Sequence, residues 1–116
     1  MGPQGPAGAT GRLGYGGAVS SRSQKRDIHP LRFSTERFMR LQPVRFRYRH
    51  GDSRIRYGLI AEDVAKLFPR MTVFDDAHKP VALRMDQLPT MLLAQVQRQQ
   101  RQIAMLERRI AQLETR

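Results

Sequence analysis

Glycine recurs every third residue at the start of the chain, at positions 2, 5, 8, 11, 14 and 17. No other pattern in the sequence limits the fold as tightly. Only glycine fits at the crowded axis of three wound polyproline II strands, so a triplet period points to a collagen triple helix. Pro3 and Pro6 occupy the X position of their triplets. A flexible Gly/Pro-rich linker would have the same composition but no reason to keep register. At a background glycine frequency of about 7%, six in one register arise by chance on the order of once in ten million frames. Residues 1–19 are therefore expected to be a collagen-like segment. With proline in only two triplets it would hardly hold itself together, which implies a longer stalk upstream or an external trimeriser.

The other end carries a second period. Leu92, Val96, Gln99, Ile103, Leu106, Ile110 and Leu113 are spaced alternately four and three apart, the seam of a heptad coiled coil of about three heptads. Val96, Ile103 and Ile110 take the a positions, and Leu92, Gln99, Leu106 and Leu113 the d positions. Pro89 is tolerated in a first helical turn, with Asp86 or Thr90 as the cap depending on where the helix begins. In a parallel assembly Arg109 faces Glu114 of the neighbouring chain and Gln102 faces Glu107, a weak pin on register. Gln99 is a polar layer that costs stability and bears on register or oligomer state. Branched a residues with leucine at d favour two strands. Collagen needs three chains, so a homotrimer reconciles the two ends. The alternative is an amphipathic helix packed on its own domain.

Between the periodic ends, residues 20–87 read as a small α+β unit. Thr35 to Leu41 is a short helix, with Ser34 as cap and Phe38 and Leu41 on one face, and Pro43 ends it. Val44, Phe46 and Tyr48 alternate with Arg45, Arg47 and Arg49, a strand with an apolar core face and a basic outer face. His50 to Ser53 is a turn, and Arg54 to Ile60 completes a hairpin. Ala61 to Phe68 is a second helix, stopped by Pro69. Met71 to Phe74 and Val81 to Met85 form a shorter strand pair about Asp75 and Asp76. About ten apolar residues are candidates for the core, too few for an isolated monomer, and trimerisation would supply the missing burial.

Little chemistry is available to such a chain. It has 116 residues, no cysteine and only three histidines, His29, His50 and His78, without ligand spacing. A large pocketed enzyme, a disulfide framework, a thiolate zinc site and a Cys/His nucleophile are all excluded, and no cofactor is expected. Apolar runs of three or four residues exclude a membrane-spanning helix. No phosphate-cradling glycine loop precedes a helix. What remains is Ser20-Ser-Arg-Ser-Gln-Lys25-Arg-Asp27-Ile28-His-Pro30-Leu31. A serine hydroxyl becomes a nucleophile when a base takes its proton, and a lysine amine can be that base, helped by the cations Arg22 and Arg26. Alone, a serine five residues before a lysine is a weak signal.

This segment resembles the opening of the peptidase S74 intramolecular chaperone domain, which closes phage tailspikes, tail fibres, endosialidases and some collagen-like proteins. The family opens on a Ser-Asp-x-x-x-Lys-x-x-Ile-like run, and Ser20, Lys25, Asp27, Ile28, Pro30 and Leu31 follow it. Leu41-Gln-Pro43-Val44-Arg-Phe46-Arg-Tyr48 is similar to its next segment. Tyr57-Gly58-Leu59-Ile60-Ala61-Glu62-Asp63-Val64, followed by Leu67-Phe68-Pro69, resembles its most recognisable block. The resemblance spans residues 20–113, including the coiled coil. It implies a homotrimeric module that registers the upstream fibre region of its own chain. It also implies autoproteolysis, as in a serine protease or hydrolase, with Ser20 as nucleophile, Lys25 as general base and Val19-Ser20 as the scissile bond. Ser21 stands where the family has Asp, and Ser23 and Gln24 replace a basic and an apolar residue. The collagen triplets end at Val19, so a cut there would release a complete arm.

The expected organisation is thus 1–19 collagen-like, 20–87 chaperone domain and 88–116 trimeric coiled coil, on a phage virion fibre or a bacterial surface or extracellular fibre. The charge admits another reading. Lys and Arg number 21 against 10 Asp and Glu, a net +11, which suits a basic module or fibre-tip knob holding nucleic acid, a polyanion or a surface receptor through Arg45, Arg47 and Arg49. Alternating arginines on a strand are more often a solvated face that resists aggregation, so nucleic acid is not expected as a partner. The collagen arm holds only Arg12, leaving +10 for the rest of the chain. Three copies total +33, a repulsion that assembly must overcome with apolar burial.

Overall fold

Short alternating runs and one long heptad run build two small hairpins, two short helices and one long helix. The computed structural model describes residues 19–115. The glycine triplets, and with them nearly all of the expected collagen-like segment, lie outside the described residues. The chain divides into two units, the first ending at Pro30 and the second beginning at Leu31.

In the second unit, helix α1 (Thr35–Met39) starts where Ser34 Oγ accepts the amide of Arg37 at 3.1 Å, satisfying one of the first-turn donors that a helix leaves unpaired. Strand β1 (Val44–Phe46) pairs antiparallel with β2 (Arg56–Gly58), Arg45 opposite Tyr57. Helix α2 (Ala61–Leu67) carries Glu62 and Asp63 in its first turn and Lys66 in its last, the arrangement its dipole favours. A 3-10 turn at Pro69–Met71 leads into β3 (Thr72–Phe74), which pairs antiparallel with β4 (Pro80–Leu83) around a bulge at Val73/Phe74. Asp75 Oδ1 closes that hairpin by accepting the amides of Ala77 and Lys79, both at 2.9 Å. Another 3-10 turn, Met85–Gln87, runs directly into helix α3 (Leu88–Glu114).

The core is small. Phe38, Val64, Met71 and Met91 are buried, with Phe33, Leu41, Leu59, Phe68, Leu83 and Leu88 packed against them. Phe33, Phe38 and Phe68 form a triangle of rings with centroids 5.1 to 6.4 Å apart. Such tilted and edge-on pairs stabilise beyond their area. Phe38→Ala removes the shared vertex, and a loss of about 3–5 kcal/mol is expected for a buried phenylalanine. That is much of the stability of any small domain. The urea midpoint of unfolding should fall steeply, whereas Met39→Ala, next door but exposed, should leave it nearly unchanged.

Two expectations are corrected. Alternation places Tyr48 on the core face of its strand, yet β1 ends at Phe46 and Tyr48 is exposed. Its ring stands edge-on to Phe46 at 5.1 Å and lies under the Arg56 guanidinium at 5.6 Å. The strands are shorter than the alternation suggests because Asp52 organises the intervening loop, accepting from the Arg54 amide at 2.8 Å, from the Arg54 side chain and from Arg56 Nη2 at 3.2 Å. Neither Asp86 nor Thr90 caps α3. Gln87 is the N-cap residue and makes no side-chain cap bond. The 3-10 turn already delivers helical backbone, and Pro89 has no amide hydrogen to satisfy.

Gly58 gives the Phe46 ring room. A Cβ at this position would lie 3.1 Å from Phe46 Cε1, so any larger residue must push that ring by a few tenths of an ångström.

Candidate functional site

Two sets of residues are the candidates for chemistry and for assembly, one in each unit. In the first unit, residues Arg22–Gln24 form one 3-10 turn, which folds the chain back so that Lys25 Nζ donates to Ser20 Oγ at 3.2 Å. Both residues are exposed. Ser21 holds the turn. Its side-chain oxygen accepts from the Ser23 amide at 3.3 Å and lies 2.9 Å from Ser23 Oγ. Backbone bonds from Gln24 to Ser21 and from Lys25 to Arg22, 2.9 and 3.1 Å, complete it. Serine and aspartate are near-equals at an N-cap because each offers a side-chain oxygen to an unpaired amide. Ser21 in place of the family's Asp thus preserves a cap. Sequence reasoning treated Ser21 only as a departure, although a cap residue opening a turn was a readable signal.

The cations around this turn are loosely held. Arg26 Nε is 3.9 Å from Asp27, with both side chains almost fully in solvent, a pairing that contributes little. Asp27 has φ of 55°, a left-handed backbone that aspartate tolerates better than most residues. Val19, the other side of the expected scissile bond, directly precedes the turn.

In the second unit the sequence-predicted seam lies along α3. Met91 and Gln95 are buried against the knob. Thr35 Oγ1 donates to Gln95 Oε1 at 3.2 Å, tying α1 to the long helix. At about 100° per residue, the Met91/Gln95 face is roughly a quarter turn from the seam. The helix therefore packs on its own domain with one face and leaves the seam uncovered. Leu92, Val96, Ile103, Leu106, Ile110 and Leu113 are 47–63% exposed. Packing on its own domain, the alternative reading of the helix, accounts for its first two turns only. At 27 residues it is about 40 Å long, and from Val96 onward no residue is buried.

Arg45, Arg47 and Arg49 are exposed on and beyond β1. Arg45 and Arg47 border a shallow cleft with Phe46 and Ile55. No helix among the described residues is long and apolar enough to cross a membrane.

The Ser20–Lys25 turn, the first hairpin and helices α1 and α2 all fall within residues 20–72, which match the Peptidase_S74 family model, described as chaperone of endosialidase. The match stops at the start of the second hairpin, so β4 and α3 lie beyond it. No curated protein and no solved structure matches the chain. From Ser20, just ahead of the 3-10 turn, to Thr72, this chain is similar to the Peptidase_S74 family, described as chaperone of endosialidase.

Proposed function

We propose that the chain is the C-terminal chaperone of a fibrous protein, which trimerises through α3 and brings three collagen-like arms into register. In this reading residues 1–19 are the arm, 20–87 the chaperone domain and 88–116 the coiled coil. The uncovered seam carries the proposal. Six half-exposed aliphatic side chains in heptad spacing on a helix already anchored by its other face form a surface that wants equivalent helices. Three arms with Gly-X-Y spacing set the number at three. The chaperone role rests on loop-closure physics. Free chains meet in register at a large entropic cost, and a trimeric knob at one end turns the rest into a local, intramolecular event. The full chain should sediment as a trimer at micromolar concentration, and a monomer would sink this reading.

Self-cleavage between Val19 and Ser20 is the second part of the proposal, supported by the 3.2 Å approach of Lys25 Nζ to Ser20 Oγ. With the lysine as free amine, Nζ takes the hydroxyl proton and Oγ attacks the Val19 carbonyl carbon. The C–N bond then breaks, the Ser20 nitrogen takes up the proton, and Val19 is left as an ester on Oγ. Water hydrolyses that ester, giving a Val19 carboxylate and a free hydroxyl on Ser20, now the first residue of its fragment. Each chain reacts once, because the nucleophile is part of its own substrate.

A further inference from the structure

Beside the start of the seam lies a cleft of about 470 Å³. One wall is Leu92, Val96 and Gln99 on α3, and the other includes Met39, Leu41 and Pro43 at the end of α1 and beyond. None of its lining residues is charged, in a chain where 27% of residues are. That composition does not suit a polyanion. Met39 is 63% exposed despite facing this apolar space.

Three of the lining residues are seam positions. Any helix that covers Leu92, Val96 and Gln99 must therefore also meet the knob wall opposite them. In a parallel coiled coil the g position of one helix faces the following e position of its neighbour. Leu88 and Gln95 occupy g, and both line the cleft, so the knob lies on the g side of its own helix. The e position that follows Leu88 is Leu93. It is 58% exposed and does not line its own cleft, and neither the a/d pattern nor packing on its own domain explains a leucine there. Gln95 adds an independent sign. It is 4% exposed, its Oε1 takes the Thr35 hydroxyl, and its Nε2 is buried with no hydrogen-bond partner among the described residues. A buried amide with unused donors is costly unless an acceptor arrives.

We infer that this cleft is the seat of the long helix of a second copy of the chain, with Leu93 of the partner subunit entering against Met39 and Pro43. The inference rests on the trimeric reading above and deepens it. The assembly interface is then the seam together with three knob-to-helix contacts, so a chain can complete its interface only when its own knob is folded. That couples folding of each domain to assembly.

The absence of native cysteine makes a direct test possible. The full chain carrying Met39→Cys and Leu93→Cys together is treated with a short bis-maleimide, which tolerates separations that a disulfide does not. It is then compared on a denaturing gel with each single variant. Covalent dimers and trimers from the double variant, absent from both singles, are the expected result. A chain that sediments as a trimer yet yields only monomer on the gel overturns the cleft inference and leaves the seam untouched. A parent chain that is monomeric overturns both. Loss of assembly in the reduced, untreated double variant, when the parent assembles, supports the inference, because both sites lie off the seam and both are exposed in the single chain.

Discussion

Ile103→Asp is expected to turn the proposed trimer into monomers. Ile103 sits at the central a layer of the seam, beyond the reach of the chain's own knob, and is 49% exposed in the single chain. Burying the exposed half of six seam side chains is worth roughly 5–9 kcal/mol per chain, taking about 1.5–3 kcal/mol for each one fully buried. Against it stand the ordering of three helices and the mutual repulsion of three chains of net +11. The margin is therefore narrow. An aspartate at one a layer brings three carboxylates together in an apolar shell, and an uncompensated buried charge costs about 3–5 kcal/mol. At about 1.4 kcal/mol per tenfold, the association constant should drop by at least two orders of magnitude. Met105→Asp adds the same charge on the same helix at a position outside the seam, and should leave sedimentation as it was. Equal loss in both variants would mean that charge, rather than the layer, governs assembly. No loss in either would remove the seam as the interface.

Much of the second unit was legible because its signals are local. Ser34 offers an oxygen one residue before a helix whatever surrounds it, and Pro69 stops α2 by chain chemistry alone, whereas α1 already ends at Met39, short of Pro43. Val64, the first of the helically spaced apolar residues Val64, Leu67 and Phe68, is the most buried side chain among the described residues, 1% exposed. What sequence could not give was which layer would cover which face. Alternation assigns Phe46 and Tyr48 to one side of a strand, but β1 stops after three residues, where Asp52 holds Arg54 in the loop and ties it to Arg56 at the start of β2. Tyr48 then packs on the hairpin's own surface. The two faces of α3 were likewise inseparable by eye. A heptad stripe and a domain-facing stripe run side by side on one helix, and only the position of the knob shows that Met91 and Gln95 belong to one and Leu92 and Val96 to the other. For the dyad, a spacing of five says nothing about distance. The 3-10 turn capped by Ser21 closes it to 3.2 Å, and that cap was readable once the serine was taken for its oxygen.

The second large effect concerns that turn. Intact chain, purified uncut or freshly refolded, should convert to fragments 1–19 and 20–116, seen as two new intact masses. Ser20→Ala removes the only attacking oxygen and should leave a single mass indefinitely. Lys25→Ala leaves the hydroxyl without its base and should slow release by about 10²–10⁴-fold, the usual contribution of a positioned general base. Lys25→Arg separates two roles of the lysine. Arginine keeps the cation near Ser20 but does not give up its proton at any ordinary pH. If the amine is a base, Lys25→Arg should be as slow as Lys25→Ala. If the cation only steadies the turn, Lys25→Arg should cleave like the parent. Ser21→Asp supplies the family's residue while keeping a cap oxygen, and should cleave at least as fast as the parent, whereas Ser21→Ala loses the cap and should be slower. The proposed cleavage is intramolecular, so its time course should be first order and independent of dilution as long as the proposed trimer persists. A Ser20→Ala chain that still yields a 20–116 fragment would assign the cut to a contaminating protease and remove the dyad from the mechanism.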